Sequence, residues 1–488
     1  MPETINTDLV VLGGGPGGYA AAFLAAERGV QTTLLDANAK PGGTCMHVGC
    51  IPSKTLLHVA DLIHLGHEAA EFGIAYGKPE IDLAKLRAKG DKIVDMMSTS
   101  LLKGCKDRKV NHIVGRGDFK DPHTIEVSPL TPGPSPGGRG VTITFKRCII
   151  AVGSIPAKLP TFDIGSPRIL DSTSALRLES VPKTLLVVGG GYIGLELGSV
   201  YAALGSSVTV VEMTASLLPG VDADLVRPLF ARLRAQFDKI HLETKVTEVE
   251  EVKDGIKARL EPSSPLPPGE ESGVRGEFAV FEKVLVAVGR RPNTATCGLD
   301  KAGVEVERGF IKTDKQRRTN VPHIFAIGDA AGEPMLAHKA AHEGKLVVEV
   351  LTDEAHAEWD PRAMPAVVFT DPEIAWCGLT ETDAKKQNRP VKVGVFRWGF
   401  SGRATTVGRN DGLTKVLVDP ATDQVLGVGV VGAGAGELIA EAVVAIEMGA
   451  TAKDLAMCIH PHPTLSETIG EAAEFLHGLS SHIFVPRK

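Results

Sequence analysis

The sequence contains two copies of one pattern, and this duplication restricts the possible folds more than any other feature. Residues 8–36 read DLVVLGGGPGGYAAAFLAAERGVQTTLLD, and residues 184–212 read TLLVVGGGYIGLELGSVYAALGSSVTVVE. Each copy predicts a strand, a glycine-rich turn, a helix and a second strand that ends in an acidic residue. The glycines that align are Gly13, Gly15 and Gly18 with Gly189, Gly191 and Gly194.

This spacing is typical of dinucleotide-binding βαβ units. The first glycine permits the tight turn, the second lets a pyrophosphate approach the backbone, and the third packs the helix on the strand. The helix N-terminus then faces the phosphates. An acid lies 23 residues after the first glycine, Asp36 in one copy and Glu212 in the other, where it can accept a hydrogen bond from a ribose hydroxyl. Two such units predict two sites, for different dinucleotides.

The duplication extends beyond the glycine motifs. CIIAVGSIP (148–156) parallels VLVAVGRRP (284–292), and each follows a β-rich stretch that a Pro/Gly tract interrupts. The tracts are SPLTPGPSPGGRG (128–140) and EPSSPLPPGEESGVRG (261–276). Their composition cannot bury apolar area, so we expect both to be disordered insertions at hairpin tips.

Two further segments complete the fold prediction. TNVPHIFAIGDAA (319–331) predicts an apolar strand that ends at Gly328 and Asp329, followed by a helix of small residues. Beyond residue 360 the pattern indicates antiparallel strands flanked by helices, a separate α+β domain. The predicted fold class is α/β, with two duplicated Rossmann-like domains and a C-terminal α+β domain.

Composition excludes several classes of protein. The chain has 488 residues, enough for about three domains. A net charge of −6 gives no sign of nucleic-acid binding. The start MPETINTDLVV has no basic region or cleavage site of a signal peptide, and the apolar stretch 9–26 is too rich in glycine for a membrane span. We therefore expect no membrane partner and a reducing compartment, the cytoplasm.

Seven cysteines raise the question of which ones carry chemistry. We expect five of them to be core residues: Cys105, Cys148, Cys297, Cys377 and Cys458. The other two, Cys45 and Cys50, lie in GGTCMHVGCIPSK (42–54). A metal site would need a second ligand pair, and we expect no metal ion. A structural disulfide is disfavoured by the compartment and by the small loop it would close, which leaves a redox couple.

The geometry required of such a couple predicts a local structure. In a regular helix, residues five apart are separated by about 140° and 7.5 Å of rise, which does not fit a disulfide. The segment must therefore be looped. Pro52 suits the first turn of a following helix, which places Cys50 near a helix N-terminus that favours a thiolate. Lys54 lies one turn after Cys50, on the same face.

These motifs resemble those of the flavin disulfide reductases. GGTCMHVGCIPSK is similar to the redox-active disulfide segment of that family. IPSK, MLAHKA (335–340), SGRA (401–404) and IHPHPTLSE (459–467) look like the motifs of its dihydrolipoamide dehydrogenases, of the bacterial type. The resemblance covers nearly the whole chain apart from the two Pro/Gly tracts.

The resemblance implies roles for single residues. Cys45 corresponds to the thiol that exchanges with substrate and Cys50 to the thiol that contacts the flavin. Lys54 and Glu196 correspond to an ion pair beside the isoalloxazine. The base and its orienting carboxylate correspond to His462 and Glu467, supplied across a homodimer interface. The implied FAD site comprises Gly13, Gly15, Gly18, Asp36, Lys54, Gly328 and Asp329, and the implied NAD site comprises Gly189, Gly191, Gly194, Glu212 and Gly289.

The resemblance also implies an activity and a domain plan. The activity is oxidation of protein-bound dihydrolipoamide to lipoamide with reduction of NAD⁺ through FAD. The partners are the lipoyl domains of 2-oxo-acid dehydrogenase complexes or of the glycine cleavage system. The expected domains are an FAD-binding domain (1–158), an NAD-binding domain (159–288), a central part that completes the FAD domain (289–358), and a dimerisation domain (359–488).

Some residues depart from the family pattern. Met46 and His47 stand where leucine and asparagine are usual, and His47 lies where it could perturb the pKa of the thiols. Tyr192 occupies a position that is aliphatic in most dihydrolipoamide dehydrogenases and a tyrosine in glutathione reductases. For His460 no role is needed.

Two rival functions are disfavoured by the sequence, and a third can be tested directly. Mercuric reduction lacks a C-terminal cysteine pair, since the tail reads SSHIFVPRK. Glutathione reduction with NADP is disfavoured because Glu212 would repel a 2′-phosphate. A purely structural subunit would be colourless and inactive towards lipoamide.

Overall fold

The computed structural model describes residues 3–129, 140–263, 276–352 and 356–482. The first region of the chain comprises β1 (Glu3–Leu12), α1 (Pro16–Glu27), β2 (Thr32–Asp36), α2 (Gly43–Val48), α3 (Cys50–Glu68), α4 (Leu83–Asp107), β3 (Asn111–Val114), β4 (Arg116–Asp121), β5 (Thr124–Ser128), β6 (Val141–Ile150) and β7 (Ser154–Pro156).

The second region contains the other copy of the repeated pattern. It comprises β8 (Ile169–Leu170), α5 (Ser172–Leu176), β9 (Thr184–Val188), α6 (Tyr192–Ala203), β10 (Ser207–Val211), α7 (Ala223–Gln236), β11 (Lys239–His241), β12 (Thr244–Val252), β13 (Gly255–Pro262), β14 (Glu277–Phe281) and β15 (Lys283–Val286).

A connecting region and a C-terminal region follow. The connecting region comprises β16 (Arg290–Pro292), β17 (Val306–Glu307), β18 (Phe310–Ile311), β19 (Ile324–Ala326) and α8 (Ala337–Thr352). The C-terminal region comprises β20 (Ala366–Val368), β21 (Glu373–Gly378), α9 (Glu381–Lys386), β22 (Lys392–Arg397), α10 (Gly402–Thr406), β23 (Leu413–Val418), β24 (Val425–Gly432), α11 (Ala435–Met448), α12 (Ala452–Met457) and α13 (Glu467–His477).

The two repeats form two sheets of related topology. The first sheet has the order β3-β2-β1-β6-β5-β4, and β3, β2, β1 and β6 run parallel. The second has the order β11-β10-β9-β15-β8 and is parallel. Continuous apolar runs such as TLLVV predict strands covered on both faces, and the residues of β2 and most of β9 are buried.

Each parallel sheet carries an antiparallel meander. β5 pairs with β4 and β6 in the first region, and β13 pairs with β12 and β14 in the second. The Pro/Gly tracts therefore join antiparallel neighbours, which confirms their hairpin position. The expectation of disorder falls largely on residues 130–139 and 264–275, which lie outside the described residues.

The chain returns to the first sheet after the second one is complete. β19 pairs in parallel with β6, and α8 packs closely on α1. The contact is so close that a Cβ on Gly17 would lie 2.8 Å from the carbonyl oxygen of Ala340. This return supports the four-part domain division given above, which we propose for the chain.

The C-terminal region is an antiparallel sheet of order β20-β21-β24-β23-β22 with helices packed on it. With the two parallel sheets, it confirms the predicted fold class. None of the helices in the described ranges is both long and apolar enough to cross a bilayer.

Two local expectations need correction. The helix of small residues after Gly328 is only a 3₁₀ turn, Gly328–Ala330, and the next α-helix begins at Ala337. Four of the five cysteines assigned to the core are buried, but Cys458 is exposed, because it caps the short helix α12 at the surface.

A buried lysine joins the second and C-terminal regions. Lys415 on β23 is 1% exposed, and its Nζ lies 2.7 Å from Asp222, 2.7 Å from Asp224 and 2.9 Å from Glu381. These three carboxylates are close enough together to hold a cation, and the ammonium group fills that position. Burial opposes ionisation of Asp222, but its hydrogen bonds with Lys415 and Thr382 hold the pKa of the carboxyl below its ordinary value.

We expect Lys415→Met to lower the melting temperature by several degrees, because it leaves three neighbouring carboxylates uncompensated, at a cost of about 3 kcal/mol. A depressed carboxyl pKa stabilises the fold above the unfolded pKa and loses that effect as pH falls through the folded value. The deficit should therefore be largest at neutral pH and shrink below about pH 4. Calorimetry at both pH values tests this, with the exposed Lys386→Met as control; equal melting curves would contradict it.

Candidate active site

The two cysteines lie on consecutive helices. Cys45 is in α2 and Cys50 is the first residue of α3. The expected loop is thus reduced to a break at Gly49, where an added Cβ would lie 2.8 Å from the carbonyl oxygen of Thr44. Glycine is required at this break because no side chain fits. The predicted position of Cys50 at a helix N-terminus is confirmed.

The two thiols have opposite acid–base character. The hydrogen bond from the Cys45 thiol, followed by the charge of Lys54, lowers the pKa of Cys50 to about 7, against the effect of burial. The same hydrogen bond and burial raise the pKa of Cys45 well above its ordinary value. Near neutral pH Cys45 of a reduced pair therefore keeps its proton, while a large fraction of Cys50 is thiolate, which is the reactive form of the group.

Lys54 connects the dithiol helix to the rest of the chain. Its Nζ lies 2.8 Å from Oε2 of Glu196 on α6, a carboxylate whose side chain is only 5% exposed. The other oxygen of Glu196 accepts a hydrogen bond from the backbone N–H of Phe369 at 3.0 Å, and Lys54 Nζ lies 4.3 Å from the centre of the Phe369 ring. Lys54 and Glu196, the ion pair expected from the sequence, are therefore in contact, and the segment that contains Phe369 holds them in place.

A cavity of about 490 Å³ adjoins the dithiol. It is lined by the first glycine loop, by Asp36, by both thiols and Lys54, and by Asp329. The walls therefore come from most of the residues that the sequence assigned to the first dinucleotide, together with the two cysteines.

The three glycines of the first loop differ in the space around them. A Cβ on Gly13, whose φ is +108°, would lie 2.3 Å from the carbonyl oxygen of Ala151, and a Cβ on Gly18 would lie 1.8 Å from that of Gly13. A Cβ on Gly15 would come no closer than 3.9 Å to other residues. The outer glycines are needed for packing within the chain, whereas Gly15 faces free space that a pyrophosphate can occupy.

Asp36 has an oxygen available for a ligand. Its Oδ1 accepts from the backbone and side-chain N–H groups of Asn38 at 3.1 and 3.3 Å. Its Oδ2 is buried and finds no hydrogen-bond partner among the described residues. Burial raises the pKa of this carboxyl. A ribose hydroxyl would supply the missing donor, so the site fits the dinucleotide that the sequence predicts.

Asp329 is held by residues that the sequence analysis did not single out. Ser154 Oγ donates to Asp329 Oδ2 at 2.5 Å, and Arg290 donates to Ser154 Oγ at 2.8 Å. Ser154 and Arg290 both line the cavity. They belong to the duplicated segments GSIP and GRRP, so the repeat was the signal that could have identified them.

The second glycine motif repeats the geometry of the first. Gly189 has φ +108°, a Cβ on Gly194 would lie 2.2 Å from the carbonyl oxygen of Gly189, and a Cβ on Gly191 would meet no other residue within 4 Å. Here the acid is bonded within the chain: Glu212 accepts from Gly190 N–H at 2.7 Å and from Thr214 at 2.8 Å. Gly289 has φ +115° and its carbonyl accepts from Ala157 N–H at 3.0 Å.

The histidine and carboxylate near the C-terminus are in contact. His462 Nδ1 lies 2.8 Å from Glu467 Oε1, and the imidazole is 76% exposed. None of the described residues after Ala340 lines the cavity, so within one chain this pair lies away from the dithiol site. Its surroundings include an apolar surface, since Ile459 is fully exposed and Met457 is 69% exposed.

Three other residues of interest have definite positions. His47 directs Nε2 to the carbonyl of Lys40 at 3.0 Å, and the charges acting on Cys50 come from Lys54 and Glu196; the structure thus gives no support for His47 as a perturbing group. Tyr192 is 44% exposed and lines the cavity. His460, given no role, pairs with Glu441 at 2.8 Å.

Comparison with known proteins places the chain among oxidoreductases. Residues 7–344 match the family described as pyridine nucleotide-disulphide oxidoreductase, and residues 364–473 match its dimerisation domain. The chain is 45% identical to the dihydrolipoyl dehydrogenase of Vibrio cholerae over 480 residues, covering 98% of this chain and 97% of the relative. It is 44% identical to that of Haemophilus influenzae, covering 98% and 96%.

Solved structures agree with these relatives. LpdA of Mycobacterium tuberculosis superposes with a TM-score of 0.86 at 27% identity, covering 96% of this chain and 99% of that one. RclA of Escherichia coli, a HOCl-induced flavoprotein disulfide reductase, superposes with a TM-score of 0.83 at 26% identity, covering 96% and 100%.

The electrostatic role of Lys54 gives a direct prediction. Lys54→Met should raise the pKa of Cys50 above about 7, because the ammonium no longer stabilises the thiolate. In the reduced protein, alkylation of Cys50 by iodoacetamide at pH 7 should slow several-fold, and the midpoint of its pH profile should move to higher pH. Mass spectrometry of the labelled cysteine measures this. Lys103→Met, an exposed lysine on α4, is the control, and an unchanged midpoint would contradict the assignment.

Proposed function

The chain belongs to the pyridine nucleotide-disulphide oxidoreductase family, and we propose that the Cys45–Cys50 pair is the centre at which it acts on its substrate. The activity of this chain is the oxidation of dihydrolipoamide with reduction of NAD⁺, with FAD as resident cofactor. The observation that supports the proposed centre is a single cavity lined both by the two thiols and by the first glycine loop. The two thiols differ in pKa, and the loop leaves space for the pyrophosphate of a dinucleotide.

The acidity of the thiols gives the direction of the exchange. A thiolate of dihydrolipoamide attacks Cys45 of the oxidised pair, forms a mixed disulfide and releases Cys50 as a thiolate. The second substrate thiolate then closes the lipoamide disulfide and releases Cys45, which takes a proton. A thiol of low pKa leaves faster, so the pKa of about 7 for Cys50 favours attack at Cys45.

The remaining residues of the centre support this exchange. Lys54, held by Glu196, stabilises the Cys50 thiolate that the first step releases. FAD, when bound, would supply the two-electron acceptor that returns the Cys45–Cys50 dithiol to its disulfide, with loss of the thiol protons, and would make those electrons available to NAD⁺. Gly13, Gly15, Gly18 and Asp36 would hold its adenosine and pyrophosphate, with Gly328, Asp329 and Lys54 towards the dithiol.

A base must take the proton of the substrate thiol, and we assign this role to His462. A histidine titrates near neutral pH, and Glu467 at Nδ1 fixes the ring so that Nε2 is free to accept the proton. The match of residues 364–473 to the dimerisation domain supports a homodimer. We propose that each site takes its dithiol from one subunit and its histidine from the other.

A mixture of two inactive variants tests this shared site. His462→Ala should lose on the order of 10²–10⁴ in rate, and Cys50→Ser should be inactive because no disulfide can form. Random mixing makes half the dimers mixed, and each mixed dimer has one intact site, so co-refolded variants should regain about a quarter of wild-type activity. The assay is dihydrolipoamide-dependent NADH formation. A mixture that contains mixed dimers and stays inactive would refute the shared site.

The choice of coenzyme depends on Glu212 at the second glycine motif. We propose that Gly189, Gly191, Gly194 and Gly289 complete that site for NAD⁺. A carboxylate can accept from a ribose 2′-hydroxyl and repels a 2′-phosphate. Because Glu212 is already fixed by Gly190 and Thr214, it cannot easily turn away from a phosphate.

The holo-protein should therefore show dihydrolipoamide-dependent reduction of NAD⁺, with kcat/KM for NAD⁺ exceeding that for NADP⁺ by at least tenfold, about 1.4 kcal/mol. Both values are measured in the same assay, as initial rates of reduction of each coenzyme over a range of its concentration. Equal values would exclude the role of Glu212, and a flavin-free protein without turnover would overturn the function.

We also propose the origin of the substrate. Lipoyl domains of 2-oxo-acid dehydrogenase complexes or of the glycine cleavage system would present protein-bound dihydrolipoamide to the site, in the cytoplasm. The names of the relatives support this proposal, since dihydrolipoyl groups are their substrate.

A further inference from the structure

The segment MLAHKA leads into an unusual buried group of charges. Lys339 and Glu343 lie one turn apart on α8 and are 4% and 0% exposed. Arg317, 14% exposed, approaches the same carboxylate oxygen at 3.1 Å, as Lys339 does. Burying charges is costly, and apolar replacements of buried ion pairs are often neutral or stabilising. The triad of Lys339, Glu343 and Arg317 therefore needs a reason beyond stability.

The directional hydrogen bonds of the triad go to a loop. Glu343 Oε2 accepts from the backbone N–H of Gly328 at 2.6 Å. Lys339 Nζ donates to the carbonyl oxygens of Gly332 at 3.0 Å and of Gly328 at 3.4 Å. By contrast, the contacts of Glu343 Oε1 with the two cations lack hydrogen-bond alignment. Both backbone polar groups of Gly328, its N–H and its C=O, are thus tied to α8.

This loop carries Asp329 into the cavity. Gly328 has φ +67°, and a Cβ there would lie 2.9 Å from Cβ of Ala340, so the loop fits α8 closely in a conformation that favours glycine. Asp329 follows directly and is held at its side chain by Ser154. Gly328, Asp329, Ala337 and Ala340 all line the cavity.

We propose that Lys339 and Glu343 are positioning residues of the flavin site, which fix the Gly328 peptide so that the Asp329 carboxylate points at the bound cofactor. The proposal rests on the proposed function, because it assigns this cavity to FAD. Neither side chain lines the cavity, so both act through the loop.

Flavin retention in single variants tests the positioning. We expect Lys339→Met and Glu343→Gln each to raise the dissociation constant of FAD at least tenfold, measured by the fluorescence of flavin released on dilution of the holo-protein. Glu343→Gln keeps the size of the side chain but replaces the charged acceptor of the Gly328 N–H with a weaker neutral one and places an amide NH₂ among the cations. It disturbs the anchor of the loop without opening a cavity, so it serves if Lys339→Met folds poorly. Lys345→Met, an exposed lysine on the same helix, is the matched control and should stay within twofold of wild type.

The direction in which each variant changes FAD affinity distinguishes positioning of the loop from a purely electrostatic effect of the triad. If the triad acted only through its field on an anionic cofactor, Glu343→Gln would tighten FAD binding while Lys339→Met would weaken it. Positioning predicts that both weaken it. Opposite signs, or unchanged retention in both variants, would overturn the inference.

A double-mutant cycle separates positioning from a general effect on the fold. In an Asp329→Ala background, Lys339→Met or Glu343→Gln should raise the dissociation constant of FAD less than threefold, because the group being positioned is absent. Additive effects would overturn the inference. A wild-type protein that retains no FAD would instead overturn the proposed function, whereas wild-type retention equal to that of the variants refutes only this proposal.

Discussion

The buried carboxylate of Glu196 connects the parts of the structure on which the proposed redox centre depends. It projects from the second glycine-motif helix, accepts from Lys54 on the dithiol helix, and accepts from Phe369 at the start of the C-terminal region. An unpaired buried carboxylate would be costly, so these contacts are mutually required. The hydrogen bond between the two thiols is the main cause of their unequal acidity, and this junction adds to it because it holds Lys54 where its charge lowers the pKa of Cys50.

A similar arrangement positions Asp329, another residue of the cavity wall. Asp329 is reached by a chain from Arg290 through Ser154, and its loop is clamped by Lys339 and Glu343. In both places a charged group at the cavity wall is positioned by side chains from a different part of the chain. The cavity is therefore built by tertiary contacts, although the glycine loop that opens it is a local structure.

This difference explains what could be predicted from the sequence. The glycine spacing and apolar runs predicted both parallel sheets and the acids Asp36 and Glu212, since period and spacing are local properties. The Lys54–Glu196 contact spans 142 residues and was anticipated only through family resemblance. Arg290 and Ser154 are 136 residues apart, and the repeat of GSIP and GRRP marks their segments without indicating that the two side chains are in contact. The late start of α8 and the exposure of Cys458 depend on packing, which residue type alone does not specify.

The exposed position of His462 has a consequence for the assembly of the protein. Within a single chain, the dithiol does not meet His462, the base we propose, which lies near the exposed side chains of Ile459 and Met457. Association of two chains that covered this apolar surface would create activity in the same event. At concentrations below the dimer dissociation constant, turnover would then rise with the square of the amount of chain.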